Sequence, residues 1–379
     1  MSKLSIAQLT SVVSSYVTSN KISVDSFTET RDNTVALLDT LGKIYTNWQN
    51  YGDKLALFDG EDLSFGKTVE EWAQDLILPE NFDGSGSTTL APHVSTYRPV
   101  SFSFTLGKKT IPQTIRNNDI ERAVHNIAQF EEIITGKTKA LYDSETMLRY
   151  AIKRQALGVL VTRCANASIS AYADVTIATA GTTISSNLAV NELLWITGNL
   201  KMYVAVKPIA STDGLTGTTA LAGGYIIPLD LVTEIAKPTD DTTGEAFIEQ
   251  VLADVEVASD FSEGHSLNGN TLGGNPEAGL VLVIKQGVMP TLKVQTLAGA
   301  FHREDLAIPA EIVVIPDFGD ASSDYYAMLV DRRIMRLHNT YRAVRENVNG
   351  QGDFLNMYYH TENTVHISRN CFVKVYKTV

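Results

Sequence analysis

The sequence holds only two cysteines in 379 residues, Cys164 and Cys371, with no CxxC spacing. That excludes a disulfide framework and a cysteine-based zinc site, and it fits a reducing compartment. No apolar run approaches the ~18 residues that a membrane-spanning helix requires. Residues 1–15 lack the charged region and continuous apolar core of a secretory signal. The expectation is a soluble protein, made in the cytoplasm, with no membrane partner. Basic charge is also scarce: 31 Lys and Arg face 43 Asp and Glu, a net charge of −12. Phosphate backbones repel such a chain, which argues against sequence-specific DNA binding. No repeat of solenoid or propeller period is visible.

Signals of catalysis are thin. The stretch GEDLSFGKT (60–68) resembles a phosphate loop, but five residues separate Gly60 from Gly66. A phosphate loop needs four there, so that successive N–H groups close on the β-phosphate. Glu61 and Asp62 would add two carboxylates against the phosphates. A hairpin-to-helix junction is the better reading, and Gly136-Lys137-Thr138 has no upstream glycine at all. The seven histidines, His93, His125, His265, His302, His338, His360 and His366, form no close ligand pair. Asp260, Glu263 and His265 have the residue types of a metal or acid/base site, but a glycine-rich loop carrying them reads as solvated surface. No serine sits in a GxSxG elbow. No catalytic residue, cofactor or metal is expected.

What is present is an ordinary globular composition, 44% hydrophobic and 20% charged. Helical spacing marks residues 33–48. Residues 54–65 read as a hairpin turning at Asp59-Gly60, and Thr68 with Glu71 makes a capping box that predicts a helix over 68–78, with Trp72 on its apolar face. Residues 79–92, with Gly84 and Gly86, read as a loop tip, and 100–106 alternates as a strand. A helical period runs from 119 to 161 with a weak point at Thr135-Gly136. A mixed α/β region follows, with a strand at 202–206, helices over 244–257 and 291–301, a Gly/Asn-rich loop at 264–276, and strands at 280–284 and 311–315. Residues 325–379 are almost all strand pattern, predicting an antiparallel sheet. Arg332, Arg333, Arg336, Arg342 and Arg345 form the one local basic concentration, suited to carboxylate pairing within or between chains.

The order of these elements resembles the major capsid proteins of tailed bacteriophages, with the HK-97-type fold, and most closely the phi-29-type head proteins of short-tailed phages. The resemblance is carried by LSFGKTVEEW (63–72) and TIRNNDIERAVHNIAQFEEII (114–134). It is most specific in LKVQTLAGAFHREDL (292–306), EIVVIPDF (311–318), YAMLVDRRIMRLHNTY (326–341) and FLNMYYHTENTVHISR (354–369). Residues 166–280 match only in general character.

The resemblance implies an α+β capsid fold divided into an N-terminal arm (1–53), an extended E-loop (54–113), a peripheral domain with its spine helix (114–165), an axial domain (166–324) and closing peripheral strands (325–379). It implies a non-enzymatic major capsid protein of the virion that self-assembles into pentamers and hexamers of an icosahedral or prolate head. The shell would enclose double-stranded DNA without reading its sequence. Implied partners are further copies of the chain, a portal protein and a scaffolding protein. Candidate contacts between subunits are Trp72, Gly84, Gly86, Arg332, Arg333 and Arg336. No appended immunoglobulin-like domain and no covalent crosslink are expected. The alternative is a cellular nanocompartment, an encapsulin-like shell enclosing cargo enzymes.

Overall fold

The computed structural model describes residues 51–63, 69–74, 97–101, 103–116, 127–165, 175–179, 181–190, 192–197, 201–275, 279–289, 308–319 and 321–379. The helices expected at 33–48 and 291–301 and the loop tip at 79–92 lie outside these residues. In chain order the strands are β1 (Glu70–Gln74), β2 (Tyr97–Ser101), β3 (Ser103–Thr105), β4 (Lys109–Arg116), β5 (Val175–Ala178), β6 (Leu193–Ile196), β7 (Lys201–Ala205), β8 (Ile226–Pro228) and β9 (Val232–Glu234). They continue as β10 (Phe261–Ser262), β11 (Leu272–Gly273), β12 (Leu280–Lys285), β13 (Glu311–Ile315), β14 (Tyr325–Asp331), β15 (Met335–Asn349), β16 (Phe354–Ile367) and β17 (Val373–Lys377). Among the described residues the α-helices are α1 (Ile127–Cys164), α2 (Gly217–Ala222) and α3 (Asp241–Ser259).

The chain divides into two units. The first takes Met1–Lys67, Phe104–Ile152 and Leu337–Val365. Its centre is a sheet in which β16 lies between β15 and β3, with β4 also paired to β16. β4 runs antiparallel from Phe354↔Arg116 to Thr361↔Lys109. The alternation read in the sequence appears here directly, since Leu355, Met357 and Tyr359 are buried while the residues between them are not. At the β15–β16 turn, the Asn349 side-chain oxygen accepts from the N–H groups of Gln351 and Gly352.

The second unit takes Thr68–Ser103, Lys153–Arg336 and His366–Val379. Its larger sheet has the order β13-β12-β14-β17-β9, with parallel pairing of β12 to β13 and of β17 to β9 and antiparallel pairing elsewhere. Helix α3 begins in a capping box, where the Asp240 carboxylate accepts from the Thr243 N–H and Thr243 Oγ1 accepts from the Asp240 N–H. From there Phe247, Ile248, Val251, Val255 and Ala258 repeat at helical spacing and pack on Leu280, Leu282, Ile284, Tyr326, Leu329 and Tyr376. The Phe247 ring sits 5.5 Å from that of Tyr326 and 5.3 Å from that of Tyr376, the latter edge to face. A four-stranded sheet, β5-β6-β7-β8, has its own core around Leu194, Ile196, Tyr203 and Ile226.

One polar group stands inside the α3 core. Asp254 accepts from Tyr376 Oη at 2.7 Å and from Gln250 Nε2 at 3.1 Å. Burial pushes its carboxyl pKa up, opposed by Lys374 and by these two donors. A carboxyl whose folded pKa lies above its unfolded value of about 3.9 gains stability as pH falls through the folded value. Asp254→Asn removes that titration. The stability of the natural chain relative to this variant should therefore rise as pH falls through the raised folded pKa toward the unfolded value of about 3.9, read from urea midpoints at each pH. A pH-independent gap would refute the buried-carboxyl account.

Three sequence expectations are corrected. Residues 70–74 form strand β1, not a helix, because they pair antiparallel with β2 from Glu70↔Ser101 to Gln74↔Tyr97; tertiary pairing overrides a local capping signature. Where the sequence predicts a hairpin over 54–65, the described residues 54–63 hold a 3-10 turn, Ala56–Phe58, and no hairpin pairing. Asp53 Oδ1 accepts the Leu55 N–H, Asp59 bridges in parallel to Leu337, and the Gly60 N–H donates to the Leu337 carbonyl at 3.0 Å. A Cβ on Gly60 would lie 2.5 Å from the His338 ring, which is why glycine stands there. Finally, α1 runs without a break through Thr135-Gly136.

Candidate assembly interface and its polar network

In the first unit, α1, β15, β16 and the segment before β1 bring charge together inside the fold. Arg342 on β15 donates through Nε to Glu145 Oε1 at 3.1 Å and through Nη1 to Asp62 at 3.3 Å. Tyr359 on β16 donates to Glu145 Oε2 at 2.5 Å. The Glu145 side chain is only 8% exposed, so its charge depends on these two donors. Burial, then the hydrogen bond to Glu145, pushes the Tyr359 pKa far above the ordinary phenol value. Burial pulls the other way on Arg342, but Glu145, Tyr359 and Asp62 together hold its pKa above normal. One further turn along α1, Arg149 pairs with Asp59 at 2.7 Å and reaches Asn363 Oδ1 at 3.3 Å. These pairings hold structure.

Of the candidate contact residues, Gly84 and Gly86 lie outside the described residues, and Trp72 sits in β1 in register with Pro99. Arg332 and Arg333 occupy a tight turn between β14 and β15, closed by the Ile334 N–H donating to the Asp331 carbonyl at 2.9 Å. The turn explains why both point outward, which strand spacing would not allow for neighbours. Arg333 forks onto Asp331, with Nη2 to Oδ2 at 2.6 Å and Nε to both oxygens at 3.1 Å, and Arg332 stands 3.8 Å from Glu311. Asp331 is buried, while the Arg333 side chain remains 69% exposed. Arg336 is half-buried on β15.

The remaining chemical candidates are dispersed. Asp260 Oδ1 accepts the Phe261 N–H, Glu263 meets Thr271, and His265 Nδ1 lies 3.2 Å from the Asp230 carbonyl. Among the described residues, no three His, Cys, Asp or Glu side chains gather as a metal site. Burial pushes the Cys164 thiol pKa up to about 12 and that of Cys371 to about 11. A cavity of about 580 Å³ in the second unit is lined by Cys164, Lys201, Asp230, Glu234, Tyr325 and Lys377 among others. Its charges are largely spent on one another, with Lys377 on Glu234 at 3.2 Å and Asp230 on Lys374 at 2.5 Å. No helix among the described residues is long and apolar enough to cross a membrane.

Glu71 was legible only as half of a capping box. In the structure it is a hub, accepting from Ser368 and Asn370 and standing 3.5 Å from His366 Nε2. Nothing in local sequence spacing could show that, since its partners lie about 300 positions downstream.

The family model for the Phi29-like phage major capsid protein matches residues 2–203 and 271–372. The chain belongs to that family. No curated protein matches it significantly. Among solved structures, the capsid of Staphylococcus phage Andhra is similar with a TM-score of 0.59 at 9% identity, covering 89% of this chain and 87% of that one. A chain from the structure of the head fiber and inner core protein gp22 of bacteriophage P68 gives 0.52 at 12%, covering 88% of each. The capsid of cyanophage P-SCSP1u gives 0.50 at 9%, covering 89% and 91%. At such identities the likeness speaks for the fold, an α+β capsid fold of the HK-97 type. This capsid protein is thus a structural shell component of a phage virion that associates with copies of itself. The nanocompartment alternative gains no support from these matches.

Proposed function

We propose that this capsid protein forms the pentamers and hexamers of an icosahedral or prolate head that encloses double-stranded DNA. Assembly takes place in the host cytoplasm, with a portal protein at one vertex and a scaffolding protein during growth. The observation that carries this reading is the family match across both ends of the chain. The acidic balance of −12 supports it, because an inner wall that repels phosphate leaves packaged DNA free to move. Uncovered apolar side chains support it too: Phe261 is 77% exposed and Val348 57%, surface that shell neighbours would bury. Each contact is weak alone, and closure multiplies them. The domain division at 1–53, 54–113, 114–165, 166–324 and 325–379 belongs to the same proposal. So do the contact roles of Trp72, Gly84, Gly86, Arg332, Arg333 and Arg336.

The test is negative-stain microscopy of the purified chain, alone and with its scaffold, where closed or tubular shells are expected. Deleting residues 83–89 should leave a soluble, folded subunit while lowering the yield of closed particles at least ~tenfold, as loss of one contact in a multivalent assembly does. Normal shells from the deletion variant would remove that segment from the contact set.

A further inference from the structure

Among the described residues, β1 and β2 hydrogen-bond as strands only to each other, so backbone pairing gives this two-stranded ribbon no tie to a larger sheet. Such a ribbon is marginal by itself in water. Among the described residues, one side chain of the ribbon carries several bonds to the rest of the unit. Glu71 Oε2 accepts from Ser368 Oγ at 3.0 Å and from Asn370 Nδ2 at 3.2 Å, while Oε1 stands 3.5 Å from His366 Nε2. His366 stands near the end of β16, and Ser368 and Asn370 follow in the bend that leaves it; all three face one carboxylate. Side-chain exposure falls to 19% for Glu71 and 6% for His366, so water competes weakly for these bonds.

The receiving side is itself fixed. The Ser368 N–H donates to the Ile334 carbonyl at 2.7 Å, and Ser368 Oγ accepts the Asn370 N–H at 3.2 Å while donating to Glu71. Asn370 Oδ1 accepts from the side-chain amides of Asn268 at 3.0 Å and Asn270 at 2.6 Å. The Gly/Asn-rich loop therefore braces the residue that grips Glu71. A carboxylate suits this place because it offers acceptors only. Glutamine has the same shape but keeps one acceptor oxygen in place of two and loses the negative charge that strengthens the bonds from Ser368 and Asn370.

We propose that Glu71 is a positioning residue, a latch that fastens the base of the β1–β2 ribbon to the link between β16 and β17, and that closure of the shell requires it. The second half rests on the assembly reading above. The adjacent Glu70 is exposed and makes the matched control, since Glu70→Gln changes the same charge one residue away.

The experiment is hydrogen–deuterium exchange on the full-length subunit, with closed-particle yield measured by sedimentation, for Glu71→Gln, Glu71→Ala and Glu70→Gln. Ribbon peptides should exchange about tenfold faster or more in both Glu71 variants and at the natural rate in Glu70→Gln, with α3 and β12 unchanged throughout. Particle yield should fall about fivefold or more in the Glu71 variants alone. Natural ribbon exchange in Glu71→Gln overturns the latch. Faster exchange with normal yield overturns its role in closure. Should the natural chain itself form no particles, the assembly reading fails, and the exchange comparison still decides the latch.

Discussion

Glu145→Ala is expected to destabilise the unassembled subunit by about 3–5 kcal/mol, the cost of breaking a buried pair by removing one partner. Two donors lose their acceptor at once. Tyr359 Oη, which donates to Glu145 Oε2, is left buried without that acceptor, and the Arg342 guanidinium keeps Asp62 at 3.3 Å. The variants around it should rank in order. Tyr359→Phe removes one donor together with its need for a partner and should cost about 1 kcal/mol. Combining Glu145→Ala with Arg342→Met should recover part of the loss, because it removes the guanidinium left without its buried acceptor and leaves the partly exposed Asp62 to water. Equilibrium urea denaturation of the subunit reads all three. A loss below about 1 kcal/mol for Glu145→Ala would mean that Asp62 alone neutralises Arg342, and the network would then be a surface pair.

The second large effect has the opposite sign from the one helix propensity gives. Alanine in place of glycine inside a helix ordinarily gains up to about 1 kcal/mol. Gly158→Ala should instead cost at least ~3 kcal/mol, at the upper end of overpacking penalties. The added Cβ would stand 2.1 Å from the Phe318 carbonyl oxygen, and that atom is backbone, held by the Ala321 N–H. The approach is close from the other side too, since Gly319 has φ of +59° and a Cβ there would meet Gln155 at 2.5 Å. Gly136, in the same helix, has nothing within 4 Å of its Cβ position, so Gly136→Ala should be neutral or stabilising. Thermal melting of the two alanine variants should move in opposite directions. A stabilised Gly158→Ala subunit would refute the close approach.

Those two glycines show where sequence reading stops. Both break the helical pattern equally. The weak point read at Thr135-Gly136 is no break in α1, whereas Gly158, unremarkable in sequence, is where the helix meets another backbone. Period-based reading did well where burial is one-sided and regular, at Leu355, Met357 and Tyr359 on β16 and on the apolar face of α3, while β12 and β14, buried on both faces, were marked by continuous apolar runs. It failed at β1, where a local capping signature pointed to a helix and the deciding partner, β2, lies more than twenty positions away. The polar clusters were invisible for the same reason. Glu145 and Arg342 are separated by 197 positions, and periodicity carries no information at that range. The family resemblance, carried by the strand motifs near the C-terminus, was the part of the function that the sequence made legible.

The two thiols, Cys164 buried and Cys371 half-buried, have a practical consequence. With pKa values near 12 and 11, Cys164 and Cys371 hold only about one part in ten thousand or less as thiolate at neutral pH, and the thiolate is the reacting form. A cysteine introduced at an exposed position, such as Asn347 near the β15–β16 turn, would therefore react with maleimide almost alone. Every copy in a shell could then carry one dye or cargo at a known place, without first removing either native thiol.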